Sequence, residues 1–322
     1  MRVLAVCCLL TALVFQQAPG RILPDTKLDL VVDPGGFLSR ALHLWEPNGF
    51  FGQVQNQAYG YLFPMGPFFL LGHLARLPEW VVQRGWVALL VCTAFVGVVR
   101  LAGLLGIGTP GARLLGALAY ALAPRMVTVL GAASVEALPM ALAPWVLIPL
   151  VRGSVAGSPR LAAMRSGLAV LLAGGVNAVA TAAVLPLPVL YLLTLRRGPR
   201  RRALIGWWSL AVTLAVLWWA VPLLLLGRYS PPFLDFIESA RITTIPTNLA
   251  ETLRGTDHWL AFLASSDGPV WRAGWWLATN PALIVESAAL AGLGLVGLAL
   301  RGLVHRNFLV LGVLCGVVLV TF

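Results

Sequence analysis

Three aspartates stand four residues apart in "PDTKLDLVVDPGG", at Asp25, Asp29 and Asp33, in a chain of 322 residues with only 12 acidic ones. A carboxylate can act as general base on a sugar hydroxyl when partial burial tunes its pKa. Asp25 is the first candidate. It follows the N-terminal apolar stretch within about ten residues, at the depth where the head group of a lipid-linked substrate would lie. Asp33 is the second candidate, and Asp29 reads as a solvated loop carboxylate, a reading that competes at the other two as well. Lys27, the single lysine of the chain, supplies a compact charge suited to a phosphate.

Glycosyl transfer with inversion needs one base for the acceptor hydroxyl and stabilisation of the departing phosphate. A lipid-phosphate sugar donor needs no nucleotide-binding fold, and the sequence carries neither a Walker A loop nor a GxGxxG turn. Glu136 in "GAASVEALP" and Asn177 in "GGVNA" are polar residues where a substrate cavity could open; capping of the following helix accounts for either one equally well. Arg125, Arg228 and Arg241 could bind a lipid phosphate or extend to the interface, with Arg241 preferred for its place in a long loop. His43, His73 and His258 are far apart in sequence and read as interface or hydrogen-bonding residues. The tryptophan pairs Trp207, Trp208 and Trp218, Trp219 read as interfacial anchors or lipid-facing packing.

The elements that must position these residues follow from composition. The chain is 59% hydrophobic and 11% charged, with a mean hydropathy of +0.87, against about 25% charged residues in an ordinary soluble domain. It is a membrane protein, and only helices spanning roughly 20 apolar residues satisfy their own backbone within hydrocarbon. Its net charge of +11 is spread as arginines between apolar runs, which orients a membrane protein and excludes nucleic acid as the expected partner. The four cysteines, Cys7, Cys8, Cys92 and Cys315, lie within apolar runs without metal-ligand spacing and read as packing residues.

Nine spans are expected, at 3–17, 85–107, 112–131, 134–151, 166–175, 178–195, 203–226, 281–300 and 308–322. The first reads as a short span or signal anchor rather than a cleaved signal peptide, lacking a clear small-x-small site. The apolar segment 61–77 carries two prolines. If it spanned, Arg196 to Arg202 would fall outside; as an interfacial helix it leaves Arg2, Arg100, Arg113, Arg152, Arg160, Arg165, that cluster, Arg301 and Arg306 all in the cytoplasm, as short loops require. All 12 acids then face outward or lie at outer ends of spans.

Two long extracytoplasmic loops result, at 18–84 and 227–280, and long loops of this kind are usually functional. The second contains "NLAETLRGTDHWLAFLASS", which reads as an amphipathic interfacial helix anchored by Trp271, Trp275 and Trp276. The chain stops inside the apolar run "VLGVLCGVVLVTF", which reads as a piece of a longer protein.

The segments "PDTKLDLVVDPGGFLSRALHLWEP", "QVQNQAYGYLFPMGPFF", "GAASVEALPMALAPWVLIPLV" and "GGVNAVATAAVLPLPVL" resemble the N-terminal membrane portion of actinobacterial alpha-(1->3)-arabinofuranosyltransferases, of the GT-C glycosyltransferase class. The resemblance implies an all-α polytopic GT-C core over residues 1–322 with a long first outer loop. It also implies a plasma-membrane enzyme that moves arabinofuranose from decaprenylphosphoryl-arabinose onto the arabinan of arabinogalactan and lipoarabinomannan, its site facing outward. By position, Asp25 becomes the base and 61–77 the interfacial helix of the first loop.

The chain departs from the class in lacking an adjacent acidic pair or D-x-D in that loop, and in lacking the large C-terminal part. No cofactor is expected, and the need for a divalent metal stays open. The expected site is therefore Asp25 or Asp33 as base, Lys27 and Arg241 at the phosphate, and Glu136 and Asn177 lining the cavity, with donor, arabinan and membrane lipid as partners. The rival readings are a polyprenyl-phosphate-mannose-dependent mannosyltransferase of the same class, a lipid or glycan transporter, and a non-catalytic scaffold. Transporters place ionisable groups near mid-membrane, which this sequence avoids.

Overall fold

Apolar runs without charges become helices, and the computed structural model describes a helical chain over residues 1–23, 25, 27–47, 52–54, 58–230, 243–244, 246–300 and 302–321. In chain order the helices are α1 (Arg2–Phe15), α2 (Leu28–Val32), α3 (Pro34–Ala41), α4 (Met65–Leu74), α5 (Glu79–Leu104), α6 (Pro110–Ala121), α7 (Pro124–Leu130) and α8 (Ser134–Val155). There follow α9 (Pro159–Leu172), α10 (Ala178–Val184), α11 (Pro186–Thr194), α12 (Pro199–Tyr229), α13 (Leu249–Arg254), α14 (Arg272–Thr279), α15 (Pro281–Ala299) and α16 (Arg306–Thr321). Two antiparallel two-residue ribbons accompany them among the described residues, Trp45–Glu46 with Gln53–Val54 and Ala264–Ser265 with Gly268–Pro269.

Among the described residues, α5, α8, α12 and α15 are long and apolar enough to cross a membrane. The 26 residues of α5 extend about 39 Å, beyond the ~30 Å hydrocarbon core. The expected span at 112–131 is broken: α6 and α7 meet at a 45° bend, because Pro124 cannot continue the ladder and turns the residue before it away from helical backbone. The remaining expected crossings correspond to shorter helices. α1 and α16 are apolar but have 14 and 16 residues, and 178–195 is divided at Pro186 into α10 and α11.

Two boundaries move because a proline at the first helical position starts a helix earlier than hydropathy suggests. α9 begins at Pro159 behind the Ser158 cap. α12 begins at Pro199 and takes in Arg200, whose guanidinium donates to the carbonyls of Gly153 and Gly157 at 2.8 and 2.6 Å.

The core is a row. α8 packs between α5 and α9, α9 in turn packs on α12, and α1 and α6 lie against α5. Leu10 and Val14 of α1, Trp86 and Phe95 of α5, and Leu138 and Ala141 of α8 are buried in one apolar cluster with Phe37 and Tyr61 of the first loop. α8 holds three internal prolines, Pro139, Pro144 and Pro149. Inside a bundle the neighbouring helices support such a ladder.

Residues 61–77 form the end of a 3-10 turn (Ala58–Leu62) followed by α4. The amphipathic helix expected in 248–266 is instead two short pieces, α13 and a 3-10 turn at Trp259–Phe262. Gly255 ends α13 at φ +71°, a left-handed cap at which side-chained residues are strained, so Thr256 to His258 leave the helical path.

Candidate functional site

α8 brings the acidic candidates together. The first four N–H groups of a helix lack partners inside it, and its N-terminus favours negative charge. Ala133, the residue preceding α8, makes no side-chain cap. Asp25 serves instead from 109 residues away, accepting the Ser134 backbone N–H at 3.0 Å and the Ser134 hydroxyl through a very short hydrogen bond. The Ser134 hydroxyl accepts in turn from the Trp86 indole at 3.2 Å. Asp25 and Ser134 are both buried.

The approach of Asp25 is fixed by α5. Gln83 accepts the Leu23 N–H at 2.6 Å and donates to the Leu23 carbonyl at 3.1 Å. Arg84 donates to the carbonyls of Gln17 at 3.1 Å and Arg21 at 3.3 Å. Both side chains are almost fully buried, so the chain leaving α1 is tied at three backbone positions before it reaches Asp25.

Glu136, two residues beyond Ser134, faces a different way. Its carboxylate accepts from Asn177 at 3.2 Å on one oxygen and pairs with His258 Nε2 at 3.0 Å on the other. Asn177 also caps α10, accepting the Ala180 N–H at 2.9 Å; it is not itself among the residues lining the cavity beside Glu136 and reaches it only through that carboxylate. The close approach that places it depends on Gly60, where a Cβ would lie 2.6 Å from the backbone of Gly175 and Val176.

Glu136 lines a cavity of about 580 Å³ together with Arg125, Asp257, Tyr120 and Thr252. Arg125 and Asp257 form an ion pair at 3.4 Å. Beyond this polar end the walls are apolar, with Met140, Ala183, Leu187, Val313 and Val320 among them. A larger cavity of about 990 Å³ between the far ends of α11 and α16 is lined by Arg196, His305 and Arg306 and has no carboxylate.

The other candidates lie elsewhere. Asp33 is exposed and caps α3 by accepting the Gly36 N–H at 2.9 Å. Lys27 precedes α2 and lines a separate cavity of about 180 Å³ with Asp29, Arg40 and Glu46. Asp29, read as solvated, is exposed and pairs with Arg40 at 3.3 Å. Arg241 lies outside the described residues. Among the described residues no three His, Cys, Asp or Glu side chains converge as metal ligands would.

Three residues gain importance from the structure. His258 was readable only as a hydrogen-bonding residue, although "TDHW" is a polar break in an apolar chain. Ser134 lies in the same turn as Glu136 yet carries no charge to mark it. Arg125 stood behind Arg241 because loop length was the only criterion.

Comparison with known proteins agrees with this architecture. Residues 9–322 match the family model described as alpha-(1->3)-arabinofuranosyltransferase, N-terminal GT-C domain. The chain is 51% identical over 310 residues to an alpha-(1->3)-arabinofuranosyltransferase of Mycolicibacterium smegmatis and 48% identical over 311 residues to one of Mycobacterium tuberculosis. These alignments cover 95% and 96% of the chain but 22% of each relative, so the chain spans about a fifth of their length. A cryo-EM structure of arabinofuranosyltransferase AftD from mycobacteria matches with a TM-score of 0.81 and 45% identity, over 95% of this chain and 21% of that one. The chain thus belongs to the alpha-(1->3)-arabinofuranosyltransferase family, whose N-terminal GT-C domain it matches over nearly all its length.

Proposed function

We propose that this chain is the catalytic core of a multi-pass membrane glycosyltransferase that transfers arabinofuranose from a polyprenyl-phosphate donor to an arabinan acceptor in cell-wall synthesis. The observation that carries this reading is the cavity bounded by Glu136 and Arg125. A polar end with a carboxylate and a guanidinium, opening onto apolar walls, suits a molecule that is sugar and phosphate at one end and isoprenoid at the other. The names of the family and its relatives support arabinofuranose as the sugar and alpha-(1->3) as the linkage.

In this reading the acidic end of the bundle faces the periplasm, as the segregation of arginines requires. Donor chain and phosphate enter beside Arg125, which takes the phosphate role first assigned to Lys27 and Arg241. A guanidinium supports the departing phosphate through paired hydrogen bonds. The acceptor hydroxyl loses its proton to a carboxylate as its oxygen attacks the anomeric carbon and the bond to phosphate breaks, with inversion. Asp25 is the proposed base: it is held on Ser134, two residues before Glu136, and does not itself line the donor cavity, so the acceptor hydroxyl reaches it beside the α8 N-terminus.

The test is transfer from decaprenylphosphoryl-arabinose to a synthetic arabinan oligosaccharide, in membranes carrying the full-length protein as wild type, Asp25→Asn or Glu136→Gln at equal expression. The expected result is activity in the wild type and a loss of at least roughly 100-fold in Asp25→Asn, the scale of general base catalysis. Full turnover in Asp25→Asn would remove Asp25 as base. Loss confined to Glu136→Gln with donor affinity retained would move the base there, and transfer of mannose rather than arabinose would overturn the donor.

A further inference from the structure

Nothing in the family description assigns a role to the second outer segment, yet His258 on it reaches Glu136 on α8 across 122 residues of sequence. The imidazole is 2% exposed, and both its nitrogens are engaged. Nδ1 accepts the Leu260 backbone N–H at 3.3 Å, which leaves the proton of the neutral ring on Nε2. Nε2 then donates to one Glu136 oxygen while Asn177 donates to the other.

We propose that His258 is a positioning residue which, with Asn177, fixes the Glu136 carboxylate so that it accepts hydrogen bonds from the hydroxyls of the donor furanose. The carboxylate is an acceptor with about four lone-pair sites, and two donors set its plane without using them all. It lines the cavity and its side chain is 18% exposed, so the remaining sites are open to a ligand. Sugar hydroxyls are donors that an apolar wall cannot distinguish, and a pre-oriented carboxylate can. Asn177 caps α10 and His258 precedes the 3-10 turn after α13, so the sugar is read where the second outer segment meets the N-terminal ends of α8 and α10. This rests on the reading of the cavity as a site for a polyprenyl-phosphate sugar.

The experiment measures the affinity of the purified full-length protein for decaprenylphosphoryl-arabinose and for bare decaprenyl phosphate, with thermal unfolding of every variant as control. Wild type is expected to prefer the arabinosylated lipid. The preference should fall at least roughly tenfold in Glu136→Gln and His258→Leu, as expected for losing a hydrogen bond to a charged group, while affinity for the bare lipid holds. His258→Gln restores an N–H donor and should recover most of it.

Equal preference in wild type and His258→Leu would overturn the proposal. So would an equal loss in His258→Leu and His258→Gln accompanied by a lowered Tm, which marks a merely structural residue. A wild type with no preference for the sugar would also overturn it, whatever its turnover. A wild type that prefers the sugar but transfers none to arabinan would sink the proposed reaction and leave this inference standing.

Discussion

Two segments, 18–84 and 227–280, reach the N-terminal end of α8 by different chemistry where they are described. The first, 18–84, is held largely at its backbone: Arg84 and Gln83 grip the main chain at Gln17, Arg21 and Leu23, and Gly60 lies against the backbone of Gly175, with the Asp25 side chain on the Ser134 N–H as the exception. The second, where described, is held largely by side chains, with His258 on Glu136, Asp257 on Arg125 and Arg254 on Ser287 at 2.9 Å. Backbone attachment tolerates little substitution and defines a frame. Side-chain attachment can be retuned one residue at a time, which suits the wall that reads a substrate.

The sharpest way to break this contrast is Arg84→Leu. It removes the charged donor shared by the carbonyls of Gln17 and Arg21, at a cost of about 1.5 to 3 kcal/mol. The expected outcome is the largest fall in Tm of any single variant at this end. His258→Leu should lower Tm far less, and an equal fall would mean that both segments are frame.

Gly60→Ala comes next. Its Cβ would meet backbone rather than a movable side chain, so about 1 to 3 kcal/mol of stability should be lost through overpacking, with the Asn177 contact to Glu136 disturbed. Thermal unfolding and donor affinity measured together would show both effects; unchanged values would refute the close approach.

The smallest effect belongs to Tyr59. Its hydroxyl is buried without a hydrogen-bond partner among the described residues, and burial pushes its phenol up to about 12, so it remains neutral across the working pH range. Tyr59→Phe removes an unsatisfied polar group and should leave Tm unchanged or raise it by up to about 1 kcal/mol of stability. A clear fall in Tm would show that the hydroxyl does have a partner.

Much of the fold was legible because hydrocarbon admits few solutions: the apolar runs at 85–107, 134–151, 203–226 and 281–300 are α5, α8, α12 and α15. Boundaries were less legible where a proline or glycine decided them locally, as at Pro124, Pro199 and Gly255. Among site residues, Glu136 and Asn177 were marked by polarity at the ends of apolar runs, and the structure joins them at 3.2 Å. Asp25 and Lys27, two residues apart in sequence, reach different surroundings, the first on Ser134 and the second beside Asp29 and Arg40.

Composition by itself determined that this chain is a helical membrane protein, since the cost of leaving backbone groups unpaired and of burying charge in lipid leaves little alternative. Which carboxylate meets the cavity and which one caps a helix was decided by tertiary structure alone. Asp25 finds Ser134 across 109 residues and His258 finds Glu136 across 122, and hydrogen bonds between such distant partners depend on how helices pack, which no local pattern of residues encodes.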